Sequence, residues 1–388
     1  MTSQTKQSTR QAYCIENARI VTPTDVIEGG VRIADGEIGA VGENVTPKGW
    51  DTAIDADGQY LLPGLVDLHG DGIEGHLQPR SDTRIDTAMA LGTADRENIA
   101  AGVTTKYHAI AFENDPEEGR TTELAGELTD AIETASSLLA DHRIHVRCEV
   151  TQEESVEAAI RDIGRDDVNM VSVMSHIPGK GQFGDVEAFK EYYRTSDRHS
   201  VEEAEQFIEQ RTAISMATIR ERIDRVIREA HTEGIVTASH DDEEPAEVER
   251  LHEAGVDISE YPITLATAER AHDLGMTTVM GAPNLVRGGS QWGNLESETA
   301  ARAGILDVLC ADYHPQSLLA APFVDTGEPL PERVARVTKN PAETVGLTNR
   351  GRIETGARAD LIIVDPATTP TVSRAFVAGR PVYRAEAE

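Results

Sequence analysis

The chain has 388 residues, 39% of them hydrophobic and 27% charged, enough for two or three ordinary domains or one large barrel with an appendage. Three widely spaced cysteines (Cys14, Cys148, Cys310) exclude a disulfide scaffold and a thiolate zinc site, and fit a reducing cytoplasm. Asp and Glu number 68 against 36 Lys and Arg, only six of the latter being lysine, for a net charge of −32. That surface repels nucleic acid and anionic lipid, and its spread along the chain reads as adaptation to high salt.

Residues 1–11 are polar, without the apolar stretch of a signal peptide, and are expected to be disordered. No apolar run approaches the ~20 residues that span a bilayer. From Tyr13 to Leu62, apolar residues alternate between Gly, Asp, Asn and Pro, the pattern of short hairpin strands. The tail repeats it in GRIETGARADLIIVD and SRAFVAGRPVYR. Residues 12–62 and 350–384 are therefore expected to pair into one small β-sandwich domain built from both chain ends.

Residues 63–349 read differently. Eight apolar β-rich runs alternate with amphipathic stretches: LLPGLVDLH, GVTTKYHA, RIHVRCEV, NMVSVMSHI, GIVTASH, VDISEYPI, TTVMGAP and ILDVLCAD. Eight strands each followed by a helix predict an α/β fold, a (β/α)8 barrel of the TIM type. A doubly wound open sheet is the runner-up, since alternation alone does not close a barrel.

Polar residues end several of these strands. His69 and Asp71 close the first, Glu149 the third, His176 the fourth, His240 the fifth and Asp312 the eighth. In a barrel those ends meet on one face, where active sites are built. Imidazoles and carboxylates converging without thiolates suit divalent ions of the Zn, Mn, Fe or Co kind, and a pair of ions can clamp an in-line displacement. A single strand-end His is more often only hydrogen-bonded, and most of the twelve histidines carry no such weight. Several inward polar ends without a shared partner would be costly, and this favours the metal reading.

Two loops add a second signal. SHIPGKGQFG follows the fourth strand and GAPNLVRGGSQWGN the seventh, each Gly-rich with one cation, Lys180 or Arg287. Glycines let backbone N–H groups approach anions, and loops after the last barrel strands often bind phosphate. Either loop could equally be a plain turn. Gly179–Gly184 also fits the dinucleotide fingerprint, but lacks the acidic strand end expected about 20 residues on.

PGLVDLHGD, the strand-end series and the closing GRIETGARADLIIVD together resemble the amidohydrolase superfamily. LPGLVDLHGD, HVRCEV, SHIPGKGQF, ASHDD, MGAPNLVRGGSQWGN and DYHPQSLL resemble, within it, the PhnM-type diphosphatases of phosphonate metabolism. The likeness runs from Tyr13 to Arg384. It implies hydrolysis of a ribosyl 5-triphosphate to pyrophosphate and a ribose 5-phosphate. It also implies two divalent ions on His69, Asp71, Glu149, His176, His240 and Asp312, with Glu149 bridging and Asp312 taking the proton from water. Lys180, Gln182, the Arg287-Gly288-Gly289-Ser290 run and His314 would contact substrate. Gly72, Lys106, His108 and His314 depart from the family pattern. A C–N amidohydrolase and a non-catalytic barrel remain as alternatives. The expected partner is a small molecule in the cytoplasm, with no nucleic acid and no membrane, and a homo-oligomer is left open.

The charge has a measurable consequence. Screening shortens from about 10 Å at 0.1 M salt to about 3 Å at 1 M, so carboxylate repulsion grows as salt is withdrawn. The melting temperature is expected to rise steeply between 0.1 and 3 M KCl, read by circular dichroism. A flat profile would remove the halophilic explanation.

Overall fold

A computed structural model of the protein describes residues 12–80, 83–115, 118–177, 191, 201–290 and 293–386. Five strands open the chain: β1 (Tyr13–Val21), β2 (Val26–Ala34), β3 (Glu37–Gly42), β4 (Thr52–Asp55) and β5 (Tyr60–Pro63). Eight more follow: β6 (Leu65–Gly70), β7 (Val103–Phe112), β8 (Asp141–Glu149), β9 (Val168–Met174), β10 (Val236–His240), β11 (Ile258–Glu260), β12 (Thr277–Gly281) and β13 (Val308–Cys310). β14 (Leu361–Asp365), β15 (Thr371–Val377) and β16 (Arg380–Arg384) end it.

The outer strands form one sheet in the order β16-β15-β14-β5-β1-β2-β3, with β4 beside β1. The sandwich expected from the two ends thus takes the form of one mixed sheet. β14 pairs antiparallel with β5, Leu361 opposite Pro63, so the returning chain lies beside the entry to the second sheet. Asp35 and Gly36 both have positive φ (56° and 86°) and make the tight β2–β3 hairpin the alternation called for. Ile15, Ile20, Val31, Ile33, Leu61 and Phe376 fill a core of its own for this sheet.

β6 to β13 lie in strict sequence order, all parallel. A doubly wound sheet would reverse its order midway, and this one does not. β6 and the end of β13 meet through a bridge between Gly70 and Asp312, with the Asp312 amide donating to the His69 carbonyl at 2.9 Å. All eight predicted barrel strands are present. Helices cover the outside because their sequences are amphipathic. Met216–Thr232, capped by the Ser215 hydroxyl, buries Ile219, Ile223, Val226, Ile227 and Ala230. No helix among the described residues is long and apolar enough to cross a membrane. The three cysteines are buried and free.

One buried carboxylate joins the first strand to the last. Asp67 Oδ1 accepts from the His69 amide (3.2 Å) and from the Ala311 amide (2.9 Å), and Oδ2 accepts from Lys106 Nζ. Lys106 reaches it only because residue 70 is glycine; a Cβ there would overlap the ammonium. Lys106, a departure from the family pattern, is therefore Asp67's counter-charge. His108, two residues on, bonds His142 (2.7 Å), which bonds Asp95 (2.8 Å) on the helix Thr87–Ala100. Lys106→Met would leave Asp67 buried and uncompensated, a loss of about 3–5 kcal/mol. Urea unfolding at fixed KCl should show it, and Asp67→Asn in the same chain should recover part. Equal stability of wild type and Lys106→Met would show that the pair does not hold the barrel shut.

Candidate active site

Side chains from the carboxyl ends of the barrel strands surround a cavity of about 460 Å³. Its floor is apolar: Val66, Tyr107, Met170, Ile258, Val279 and Val308 pack beneath the polar layer. His69 and His240 stand on that floor with rings stacked 5.4 Å apart and 19° from parallel. Glu260, from the end of β11, lies behind both. Its Oε1 is 3.1 Å from His69 Nδ1 and its Oε2 is 3.5 Å from His240 Nδ1. At His69 the carboxylate fixes the proton on Nδ1 and leaves the Nε2 lone pair for the cavity that both residues line; at His240 the contact is longer than a normal hydrogen bond, and only the carboxylate's charge faces Nδ1. Burial, joined by the nearby charge of Arg147, holds each imidazole's pKa down at about 3, so both are neutral. His145 closes this layer from below, bonded to Ser172 Oγ (2.8 Å) and the Leu68 carbonyl (3.0 Å).

Asp71 and Asp312 face the same cavity. Burial, and next the Asp71 charge, push the Asp312 carboxyl up to about 8. Burial works to raise Asp71 as well, but Arg147 and Arg120 outweigh it and hold it below its ordinary value. Arg147 Nη1 lies 3.5 Å from Asp71 Oδ2. Two neutral imidazoles beside two carboxylates, Asp71 and Asp312, crowded together on one cavity wall, are a donor set that fits a divalent ion.

A second group adjoins it. Glu149 Oε2 accepts from His176 Nδ1 (2.8 Å), the His176 amide (3.2 Å) and Arg211 (3.3 Å), while Oε1 accepts from Thr151 Oγ1 (2.6 Å). Burial favours its neutral form, yet Arg211 and the His176 bond prevail and hold it at about 2. Burial likewise works to lower His176, and Glu149 with Glu113 raises it instead. Ligand atoms of Glu113, Glu149 and His176 lie within 4.8 Å of one another, as do those of His69, His145 and Glu260.

The structure thus brings His69, Asp71, His176, His240 and Asp312 to one cavity, with Glu149 directly behind His176. Arg287 and Ser290 line it as well. Arg287 ends the helix Ala282–Arg287, Gly288 caps it with φ 76°, and Arg287 Nη2 donates to the Gly289 carbonyl at 3.1 Å. His314 is exposed and bonds Ser317 Oγ (2.9 Å) at the start of the helix Pro315–Ala320; its neighbour Tyr313 lines the cavity. Lys180 and Gln182 lie outside the described residues. Sequence reasoning missed Glu113, Arg147, Arg211 and Glu260. Glu113 follows the observed end of β7, four residues beyond the predicted second strand, and Glu260 ends β11 inside the longer run predicted as the sixth strand, while Arg147 shares the inward face of Glu149 two residues on; nothing in the sequence marks Arg211.

Imidazoles and carboxylates at the carboxyl end of a parallel barrel are the arrangement of a metal-dependent hydrolase. The chain belongs to the amidohydrolase family, whose pattern matches residues 198–383 and whose members are metal-dependent hydrolases. Alpha-D-ribose 1-methylphosphonate 5-triphosphate diphosphatase of Escherichia coli is 34% identical over 357 residues, 90% of this chain and 94% of that protein. Dihydropyrimidinase from Brevibacillus agri shares the fold with a TM-score of 0.64 at 13% identity, over 96% of this chain and 95% of that one. Molinate hydrolase does so with a TM-score of 0.66 at 15% identity, over 96% and 94%.

Glu260 offers a direct test of the layer beneath the cavity. Glu260→Gln keeps its shape but removes the charge behind both rings. Metal affinity, measured by competition with a chelator, is expected to fall about 10–100-fold. Undiminished affinity would mean the rings are oriented by packing alone.

Proposed function

We propose that this protein hydrolyses the anhydride between the α and β phosphates of a ribosyl 5-triphosphate, releasing pyrophosphate and a ribose 5-phosphate. The substrate class is that of α-D-ribose 1-methylphosphonate 5-triphosphate, an intermediate of phosphonate breakdown. The observation that carries this is the 34% identity to the Escherichia coli diphosphatase along nearly the whole of both chains. The cavity supports it: a ring of potential metal donors below, Arg287 and Ser290 on its wall. His69, Asp71, Glu149, His176, His240 and Asp312 would together hold a pair of divalent ions, with Glu149 serving both. Bound there, such ions lower the pKa of a water and polarise a phosphoryl oxygen.

The chain's own residues do the rest. Glu260 keeps His69 in the tautomer that turns Nε2 to the cavity and sets its charge behind His240. Asp312, whose carboxylate has a raised affinity for protons in this acid-crowded site, receives the proton of the attacking water. Its place on the cavity wall, where Asp71 also stands, supports that role. Arg287 and Ser290, in the loop after β12, receive the departing pyrophosphate, a better leaving group than a ribose alkoxide; Lys180 and Gln182 are assigned to the same task from the sequence alone. Gly288 and Gly289 shape that loop.

The position of attack is tested with isotopic water. Hydrolysis in oxygen-18 water, followed by phosphorus NMR, should place the label in the ribose 5-phosphate and leave pyrophosphate unlabelled. Label in pyrophosphate would mean attack at the β-phosphorus. Stepwise release of orthophosphate would make the enzyme a phosphatase and overturn the reading.

A further inference from the structure

Two arginines line the cavity near its floor, Arg120 and Arg147, and their surroundings differ. Arg120 is paired twice, with Glu74 at 2.8 Å and Glu113 at 3.0 Å. Arg147 projects inward from β8, between His145 and Glu149 on the same strand face, and is 5% exposed. Its buried Nε and Nη1 have no hydrogen-bond acceptor among the described residues. The carboxylate it approaches, Asp71, stands 3.5 Å away, beyond a normal hydrogen bond. A guanidinium carries five N–H donors, and leaving them unmet in a buried site is costly unless a ligand meets them. It lines the same cavity as His69, Asp71, His240 and Asp312.

We infer that Arg147 is a substrate-contacting residue, whose guanidinium binds a non-bridging oxygen of the phosphoryl group under attack. The assignment of that oxyanion to a phosphoryl group rests on the function proposed above; the need of Arg147 for an oxyanion does not. Arg287, exposed at the end of its helix, belongs with the leaving group instead. The two cations therefore divide the triphosphate, Arg147 holding the α-phosphate deep in the cavity and Arg287 the departing pair. A planar fork suits two oxygens of one phosphate, a geometry that an ammonium does not reproduce.

The test uses metal-loaded wild type, Arg147→Met and Arg147→Lys. Arg147→Met is expected to lower kcat on the ribosyl triphosphate by about 10²–10³, the usual effect of losing one donor to transition-state charge. Arg147→Lys should restore part of it. By calorimetry, Arg147→Met should weaken ribose 5-phosphate about tenfold or more, the weight of one charged hydrogen bond, and leave pyrophosphate little changed. Metal content by elemental analysis and the melting temperature should match wild type, because Arg147 donates no close bond among the described residues. A kcat within about threefold of wild type overturns the inference. So does a loss that runs parallel to lost metal, which would make Arg147 only a support for Asp71. Tighter binding of acetate than of ribose 5-phosphate at wild-type Arg147 would make it a carboxylate site and overturn the phosphoryl assignment. Failure of the proposed reaction shows separately: wild type would leave triphosphates intact while ribose 5-phosphate binding still depended on Arg147.

Discussion

A barrel of eight parallel strands must be closed between its first and last, and here Asp67 spans that seam. It sits in β6, accepts the amide of Ala311 beyond the end of β13, and takes its counter-charge from Lys106 on β7. Three strands are thereby held by one carboxylate with almost no access to water. Breaking such a pair costs more than its formation gains, because the survivor stays charged and buried. The consequence for the site is immediate. His69 lies two residues after Asp67 and Asp312 one residue after Ala311, so the clasp that shuts the barrel also sets the distance between them. The Asp312 amide, bonded to the His69 carbonyl, completes that frame.

Above the seam the polar layer is organised by buried carboxylates, Glu260 and Glu149. Glu260 bonds His69 and lies 3.5 Å from His240, behind the two stacked rings. Glu149 is held from every side by Thr151, His176 and Arg211, and its orientation is therefore set before any ligand arrives. The backbone contributes strain. Asp241, Tyr261 and Asp312 follow the ends of β10, β11 and β13, and all three have φ between 54° and 59°. Non-glycine residues adopt this region at a cost of about 1–3 kcal/mol, and it gathers where side chains must be aimed against the run of the strand. Tyr261 uses the turn to pack its ring edge against both His69 and His240.

The barrel was legible because each strand ends in a change of pattern: a run of β-branched residues, then a polar residue, then Gly, Pro or an amphipathic helix. Strand ends also exposed most of the cavity, since a residue there has one face to point to. Glu113 and Glu260 obey the same rule as His240 but were passed over because the second run was ended too early, at Ala109, and the sixth too late, at Ile263, so neither glutamate stood at a strand end. Arg211 could not be read at all. It arrives from a helix, Val201–Ala213, and only the packing of that helix over the barrel brings it to Glu149. Lys106 and His108 were visible as departures from the family pattern, but their roles depend on partners 39 and 34 residues away. His314 shows the converse: a position inferred from a motif faces its own helix start, while Tyr313 turns to the cavity.

The charge of the whole chain and the charge of its centre pull in opposite directions. A net of −32 repels a polyanion at long range, and the triphosphate proposed here is a polyanion. Attraction must then come at short range, from cations placed inside the mouth, and it is arginine that stands there: Arg120, Arg147 and Arg287 line the cavity and Arg211 lies beneath it. Arginine keeps its charge when buried and matches carboxylate and phosphate oxygens two at a time, as a compact ammonium does not. Salt settles the balance between the two ranges. At about 1 M the surface field dies within about 3 Å, so the acidic exterior no longer opposes approach. Contacts inside the cavity, at hydrogen-bond distance and away from bulk ions, are screened far less. High salt therefore acts on this fold twice, relieving repulsion within the shell and removing the barrier that the same shell sets against its substrate.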